Sequence, residues 1–236
     1  MLLIMADTAQ SSTNAIPYED MLKSGMHFGR KKTVFNPKMK DYVFIVRDGI
    51  CIIDLLKTQS QLGQATEFMK EITQKGGLIL FVALTKQSIT ATKELAEALN
   101  MPYVVERWLG GTLTNFKVIS GRIKQFEELE KSQKEGALEK YTKKEKLVIE
   151  NELKKMRQKF EGLKRLTRIP DAVFVTSLKE SALPIREARL MKVKVVGIAN
   201  TDSDPSGIDY AIPANDRSKK SVDLIINALK DHLSNV

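Results

Sequence analysis

The uninterrupted apolar run Leu78–Leu84 constrains the fold more than any other stretch. A strand with one wet face alternates apolar and polar residues. A run with no polar member reads as a strand covered on both faces, as in a parallel sheet. The surrounding pattern agrees. Thr58 to Gln74 puts Leu62, Ala65, Phe68, Met69 and Ile72 on one helical face, and Gly76-Gly77 stops it. Ser88–Leu99 reads as a helix and Pro102–Val105 as a short strand. After residue 169 the alternation resumes with strand Ala172–Val175 and a helix to about Leu190, opened by the capping-box spacing Ser177-Leu178-Lys179-Glu180. Strand Val193–Ala199, the short extended stretch Tyr210–Ile212 and a helix capped by Ser218 and running through Leu229 follow. Ahead of them, Tyr42–Val46 and Ile50–Ile53 form a hairpin around Asp48-Gly49. Strands alternating with helices predict an α/β fold, a doubly wound, flavodoxin- or Rossmann-like, mainly parallel sheet.

The middle of the chain breaks this rhythm. Phe116, Ile119, Ile123 and Phe126 are spaced three and four apart, and so are Ile149, Leu153, Met156, Phe160 and Leu163. These are coiled-coil spacings. Lys134-Glu135-Gly136-Ala137 separates them, and Thr142-Lys143-Lys144-Glu145 offers a second capping box. The pattern predicts an antiparallel coiled-coil helical hairpin over residues 114–168, inserted into and projecting from an α/β body of residues 17–113 and 169–236. Residues 1–16 read as a disordered arm, because residues 7–15 are small and polar.

The hairpin also holds most of the excess charge. Residues 114–168 carry 16 Lys and Arg against 9 Asp and Glu, so +7 of the chain's net +9 lies there. A charged helical face is commonly just solvated, but this concentration points to a polyanion nearby. Cys51 stands alone, so no intrachain disulfide framework exists and a reducing, cytoplasmic setting is expected. Met1 to Met5 is too short and uncharged for a secretory signal, and no apolar run reaches the length of a membrane span.

Equipment for turnover is sparse. Thr85-Lys86-Gln87-Ser88 follows the best buried strand without Gly-x-Gly-x-x-Gly, and no Gly-Lys-Ser/Thr occurs. His27 and His232 are the two histidines, and one cysteine rules out a thiolate-rich zinc site. No Gly-x-Ser-x-Gly elbow supports a Ser-His-Asp triad. Asp202, Asp204 and Asp209 form an acidic loop after Val193–Ala199, where Mg²⁺ could sit; the plainer reading is carboxylates capping turns around Pro205. These absences point away from an enzyme, with no cofactor and no small-molecule substrate. A nucleotide- or metal-dependent α/β enzyme using Thr201–Asp209 and Gly110-Gly111, and a scaffold using the hairpin for a protein partner, stay as alternatives.

Two segments carry nucleic-acid chemistry. Gly25 to Lys40 interleaves Arg30, Lys31, Lys32, Lys38 and Lys40 with His27, Phe28 and Phe35, and its glycines, Asn36 and Pro37 predict an irregular loop. Cations pair with phosphates and rings stack on unpaired bases, although Phe28 and Phe35 could equally anchor the loop. The second segment, Arg107-Trp108-Leu109-Gly110-Gly111-Thr112-Leu113-Thr114-Asn115-Phe116, sits where the body meets the hairpin. Paired glycines before a helix can cradle a phosphate or permit a sharp turn. Thr112 or Thr114 can cap the helix, and Arg107, Asn115 and Lys117 put donors near its start. Trp108 reads more readily as packed beside the hinge than as stacked on a base.

His27-Phe28-Gly29, Asn36-Pro37-Lys38-Met39-Lys40, Asp48-Gly49-Ile50 with Ile53-Asp54-Leu55, Arg107-Trp108-Leu109-Gly110-Gly111 with Leu113-Thr114-Asn115-Phe116, Ile169-Pro170-Asp171 and Asp204-Pro205 resemble bacterial small-subunit ribosomal protein two. The match runs in order from about Met21 to Leu229. The resemblance implies a structural, ribosome-associated protein that binds 16S rRNA between head and body of the small subunit. It also implies contact with neighbouring small-subunit proteins, and help in seating the large mRNA-binding one near the mRNA exit. No membrane is implied, and any Mg²⁺ would come with the rRNA. The matching RNA-contact candidates are His27, Phe28, Arg30, Lys31, Lys32, Asn36, Lys38 and Lys40 in the loop, and Arg107, Trp108, Thr112, Asn115, Lys117 and Arg122 at the junction. Arg30 and Cys51 stand where the family often has His, and Thr176-Ser177 where many members have Asp-Pro.

Overall fold

A computed structural model describes residues 16–135 and 142–234. The expected arm up to residue 15 and the expected turn of the hairpin around Gly136-Ala137 lie outside them. Ile16, assigned to the arm above, is 7 % exposed and belongs to the core, where its carbonyl accepts a hydrogen bond from Gln59.

Five strands form the parallel sheet: β4 (Ile79–Val82), β5 (Tyr103–Val104), β6 (Ala172–Val175), β7 (Lys194–Ala199) and β8 (Tyr210–Pro213). Their spatial order is β5-β4-β6-β7-β8, and every neighbouring pair is parallel. The chain runs outward from β4 to one edge and then returns to β6, so the direction of winding reverses between these two strands. In such sheets ligands usually sit at that reversal, beyond the carboxyl ends of the strands.

Both faces are covered, as the apolar run requires. Ile79, Phe81, Phe174, Val196 and Ile198 face a layer made by α2 (Leu55–Gln74), α3 (Ile89–Ala98) and α7 (Lys219–Leu233). Leu80, Val82, Val173, Val175 and Val195 face the opposite layer. That layer contains α6 (Ala182–Leu190) and the base of a helix pair, α4 (Phe116–Lys134) and α5 (Lys143–Phe160). The pair is antiparallel. Phe126 meets Phe160 with ring centroids 6.4 Å apart, and Glu130 receives Arg157 at 2.9 Å and Lys164 at 2.5 Å. Ile123, Phe126, Leu153 and Phe160 are buried in this second core. The insertion therefore supplies part of the cover of the sheet.

The two predicted capping boxes come out differently. Thr142 and Glu145 form theirs at the start of α5. Ser177 and Glu180 do not. The Ser177 hydroxyl donates to Asp216 at 2.6 Å and Glu180 lies 3.8 Å from Arg217, so α6 begins only at Ala182.

A small antiparallel sheet, ordered β1-β3-β2, packs beside the body: β1 (Phe28–Lys31), β2 (Val43–Arg47) and β3 (Ile50–Ile53). Asp48 and Gly49 take positive φ, as the predicted hairpin turn demands. A short helix α1 (Tyr18–Lys23) precedes it. Among the described residues no helix is long and apolar enough to cross a membrane.

Candidate nucleic-acid interface

Both predicted segments lie at the carboxyl end of the parallel sheet. The junction follows β5 directly. The loop is tied to the end of β7, where the Asn36 N–H donates to the Thr201 carbonyl at 2.9 Å and the Arg30 N–H to the Thr201 hydroxyl at 2.7 Å.

The loop is more regular than its composition suggests. Phe28–Lys31 is strand β1, paired with β3, and Lys32–Val34 and Pro37–Tyr42 are 3₁₀ turns. The free edge of β3 offers a ladder that the glycines and charges do not advertise. Asn36 caps the second turn, its side chain accepting the Lys38 N–H at 3.0 Å. Met39 is fully buried and Phe35 packs half-buried on the second core, so Phe35 is an anchor. Phe28 is 46 % exposed and lies against His27 at 4.0 Å between ring centroids. Burial lowers the His27 pKa, and its Nδ1 is buried without a partner.

The basic side chains of the loop divide into two groups. Arg30 points into the fold. Its guanidinium lies 3.6 Å from Asp202 and 3.8 Å from Asp216, both nearly inaccessible. Lys38 bonds Asp204 at 2.8 Å and holds that carboxyl down at about 2. Lys31, Lys32 and Lys40 are exposed, and none has an ion-pair partner among the described residues.

Arg30 also helps close the crevice at the winding reversal. Asp216 accepts Ser177 at 2.6 Å and Asn200 at 2.7 Å, and Thr176 bonds Ser88 at 3.0 Å. The acidic loop is similarly engaged. Lys179 reaches Asp202 at 2.8 Å, Asp204 caps the turn at Ser206, and Asp209 holds Lys194 at 2.6 Å and the Val195 N–H at 2.9 Å. Among the described residues no group of three or more His, Cys, Asp or Glu could hold a metal ion.

The junction does cradle an anion, and the anion belongs to the protein. The Glu187 carboxylate, on α6, accepts the Trp108 indole N–H at 2.9 Å, the Gly111 N–H at 2.9 Å, the Leu113 N–H at 3.1 Å and the Thr114 N–H and hydroxyl at 3.3 Å each. Gly111 has φ +89°, a conformation that lets successive N–H groups converge. Burial pushes the Glu187 carboxyl up, but these donors outweigh it and hold it below its ordinary range. The residue was invisible as a site in the sequence. Its trace is a lone acid among Pro184, Ala188 and Met191 on the inner face of a helix.

Trp108 is therefore packed, at 6 % exposure. Thr112 is fully buried and donates to the Leu109 carbonyl at 2.6 Å, so neither threonine caps α4; Asn115 occupies that position without a side-chain bond. Arg107, Asn115 and Lys117 are exposed, and Arg122 donates to Gln125 at 3.0 Å.

Two grooves flank these residues. One, of about 760 Å³, lies between Lys38 and α6 and is lined by Lys179, Arg186 and Arg189 as well as Asp202 and Asp204. The other, of about 470 Å³, separates the end of β5 from α5 and is lined by Lys93, Arg107, Lys154, Arg157 and Lys159 with Glu106 and Glu161. The sequence reading missed Arg186, Arg189, Lys154 and Lys159, which become neighbours of the loop and junction only through the fold.

Comparison with known proteins agrees with this architecture. The family model described as ribosomal protein S2 matches residues 21–235. The small ribosomal subunit protein uS2 of Mycoplasmopsis synoviae is 41% identical over 227 residues, covering 95% of this chain and 76% of that protein. The protein of the same name from Thermus thermophilus is 41% identical over 216 residues, covering 92% of this chain and 84% of its own.

Proposed function

The chain belongs to the ribosomal protein S2 family, and on that premise we propose that it binds 16S rRNA through the exposed cations at the carboxyl end of its sheet. Membership makes it a structural, non-enzymatic protein of the small ribosomal subunit. The finer reading is that Lys31, Lys32 and Lys40 of the loop, with Arg107, Asn115 and Lys117 at the junction, meet backbone phosphates, and Phe28 meets an unpaired base. Arg186 and Arg189 stand beside the loop, on the helix whose Glu187 organises the junction, and extend this surface.

The observation that carries the reading is the separation of roles among the basic residues. Arg30 and Lys38 are neutralised within the fold, whereas Lys31, Lys32, Lys40, Arg107 and Lys117 have no ion-pair partner among the described residues. Exposed cations without partners are the groups free to release counterions from RNA. The same rRNA would supply any Mg²⁺. The accompanying proposal, that the protein helps seat the large mRNA-binding protein near the mRNA exit, rests on the family resemblance.

Filter binding to a small-subunit rRNA fragment across a salt series tests the RNA reading. Affinity should fall steeply, with a logarithmic slope of about −0.7 to −0.9 for each phosphate neutralised. A flat response overturns it.

A further inference from the structure

β2 is the outer strand of the small antiparallel sheet, paired with β3 on one side and with no strand on the other among the described residues. Soluble proteins ordinarily blunt such edges with charge, proline or a covering segment, because unpaired N–H and C=O groups template another chain. The middle of β2 has no charge or proline. Phe44, Ile45 and Val46 are 74 %, 54 % and 40 % exposed, consecutive and apolar. Val43 pairs with Ile53 and Ile45 with Ile52, so Phe44 is the extra residue of a bulge, a device that re-aims a side chain.

The edge is held in place without help from outside. Cys51 and Ile53 of β3 are 1 % exposed, and the Ile53 N–H donates to the His27 carbonyl at 2.8 Å. Its charge is uneven. Ile50 pairs with Arg47 on one side and Lys31 on the other, with Lys32 next in the chain, so one end of the sheet gathers three cations against Asp48. Arg47 and Asp48 are 3.8 Å apart and more than four-fifths exposed, so this pair does little to cancel the field.

We propose that the free edge of β2 takes on an added strand from another protein of the small subunit. The segment is extended, apolar where it crosses Phe44–Val46, and acidic where it passes Arg47 at the end of the strand. Main-chain hydrogen bonds give such strand addition its affinity, and side-chain pockets give it specificity. A phosphate backbone is the poorer match, because Phe44–Val46 offers no side-chain donor. The proposal does not depend on the rRNA reading.

The test places the photoreactive residue p-benzoylphenylalanine at Phe44 in the full chain and irradiates gradient-purified small subunits. The expected adduct is protease-sensitive and nuclease-resistant, and mass spectrometry maps it to one apolar segment with an acidic flank. The Phe44→Ser/Val46→Lys chain should then hold the partner about tenfold less tightly, as for loss of an interface anchor. Its filter binding to rRNA should be unchanged. An adduct on RNA, no adduct, or a segment of another chemistry overturns the proposal. So does full partner retention by the double variant. If that variant does not fold, the adduct decides alone.

Discussion

The junction from Arg107 to Lys117 and the loop from His27 to Lys40 stand at the same end of the sheet, and both are rich in donors. At the junction the donors turn inward. Trp108, Gly111, Leu113 and Thr114 converge on Glu187, and these donors are satisfied without any outside anion. The loop instead divides its cations, sending Arg30 inward and leaving Lys31, Lys32 and Lys40 in solvent. The difference teaches that a glycine-rich donor cluster is evidence of an anion, but not of whose anion it is. A buried carboxylate from a distant helix and a phosphate from a ligand make the same demand on the backbone.

The largest test of this contrast is Glu187→Ala. It leaves a buried indole N–H and several backbone N–H groups without an acceptor, and should cost about 3–5 kcal/mol of stability by urea denaturation. A loss below about 1 kcal/mol would mean that the junction is not organised from within. The same carboxylate gives a pH signature. Its folded pKa is depressed, so its contribution is complete above the unfolded carboxyl value of about 4.3 and fades as pH falls through the lower folded value. Glu187→Gln should flatten that acid limb of the stability profile.

Arg30→Met comes next. It removes the cation between the inaccessible Asp202 and Asp216, and should cost about 2–3 kcal/mol while leaving the salt slope of rRNA binding unchanged. A changed slope would move Arg30 to the RNA side of the comparison. Neutralising Lys31, Lys32 and Lys40 together should do the reverse. The salt slope should become shallower by about 2–3, with stability changed by no more than about 0.5 kcal/mol. The smallest expected effect is that of Trp108→Phe, which keeps a ring and loses one hydrogen bond, about 1 kcal/mol by calorimetry, with rRNA affinity intact. A drop in affinity would show that the ring reaches RNA after all.

Much of the fold was legible because it depends on local patterning. The apolar runs became β4, β6 and β7 with ends shifted by a residue or two, and the helix expected over Thr58–Gln74 began three residues earlier, capped by Asp54. The Thr142 capping box formed with its hydroxyl and the Glu145 carboxylate bonded to each other's segment. The Ser177 box failed because Asp216 took the Ser177 hydroxyl. The same physics limited the site. Whether Arg30 faces RNA or the interior is decided by Asp202 and Asp216, far along the chain, and the acceptor at Gly111 lies 76 residues along it. Strand β1 was hidden for a related reason: its ladder depends on β3 and not on its own residues.

Gly162, just after α5, shows how the helix pair is set against the sheet. A methyl group there would come within 2.3 Å of the Tyr103 carbonyl oxygen on β5, so the arm is pressed directly against the sheet at its root. The eighteen residues of α5 extend roughly 27 Å from that point. A displacement of an ångström at the root, near where Glu130 holds Arg157 and Lys164, would be magnified along that lever. The spacing between arm and sheet is therefore a mechanical setting, and the bare backbone at Gly162 is what lets the arm lie so close to the sheet.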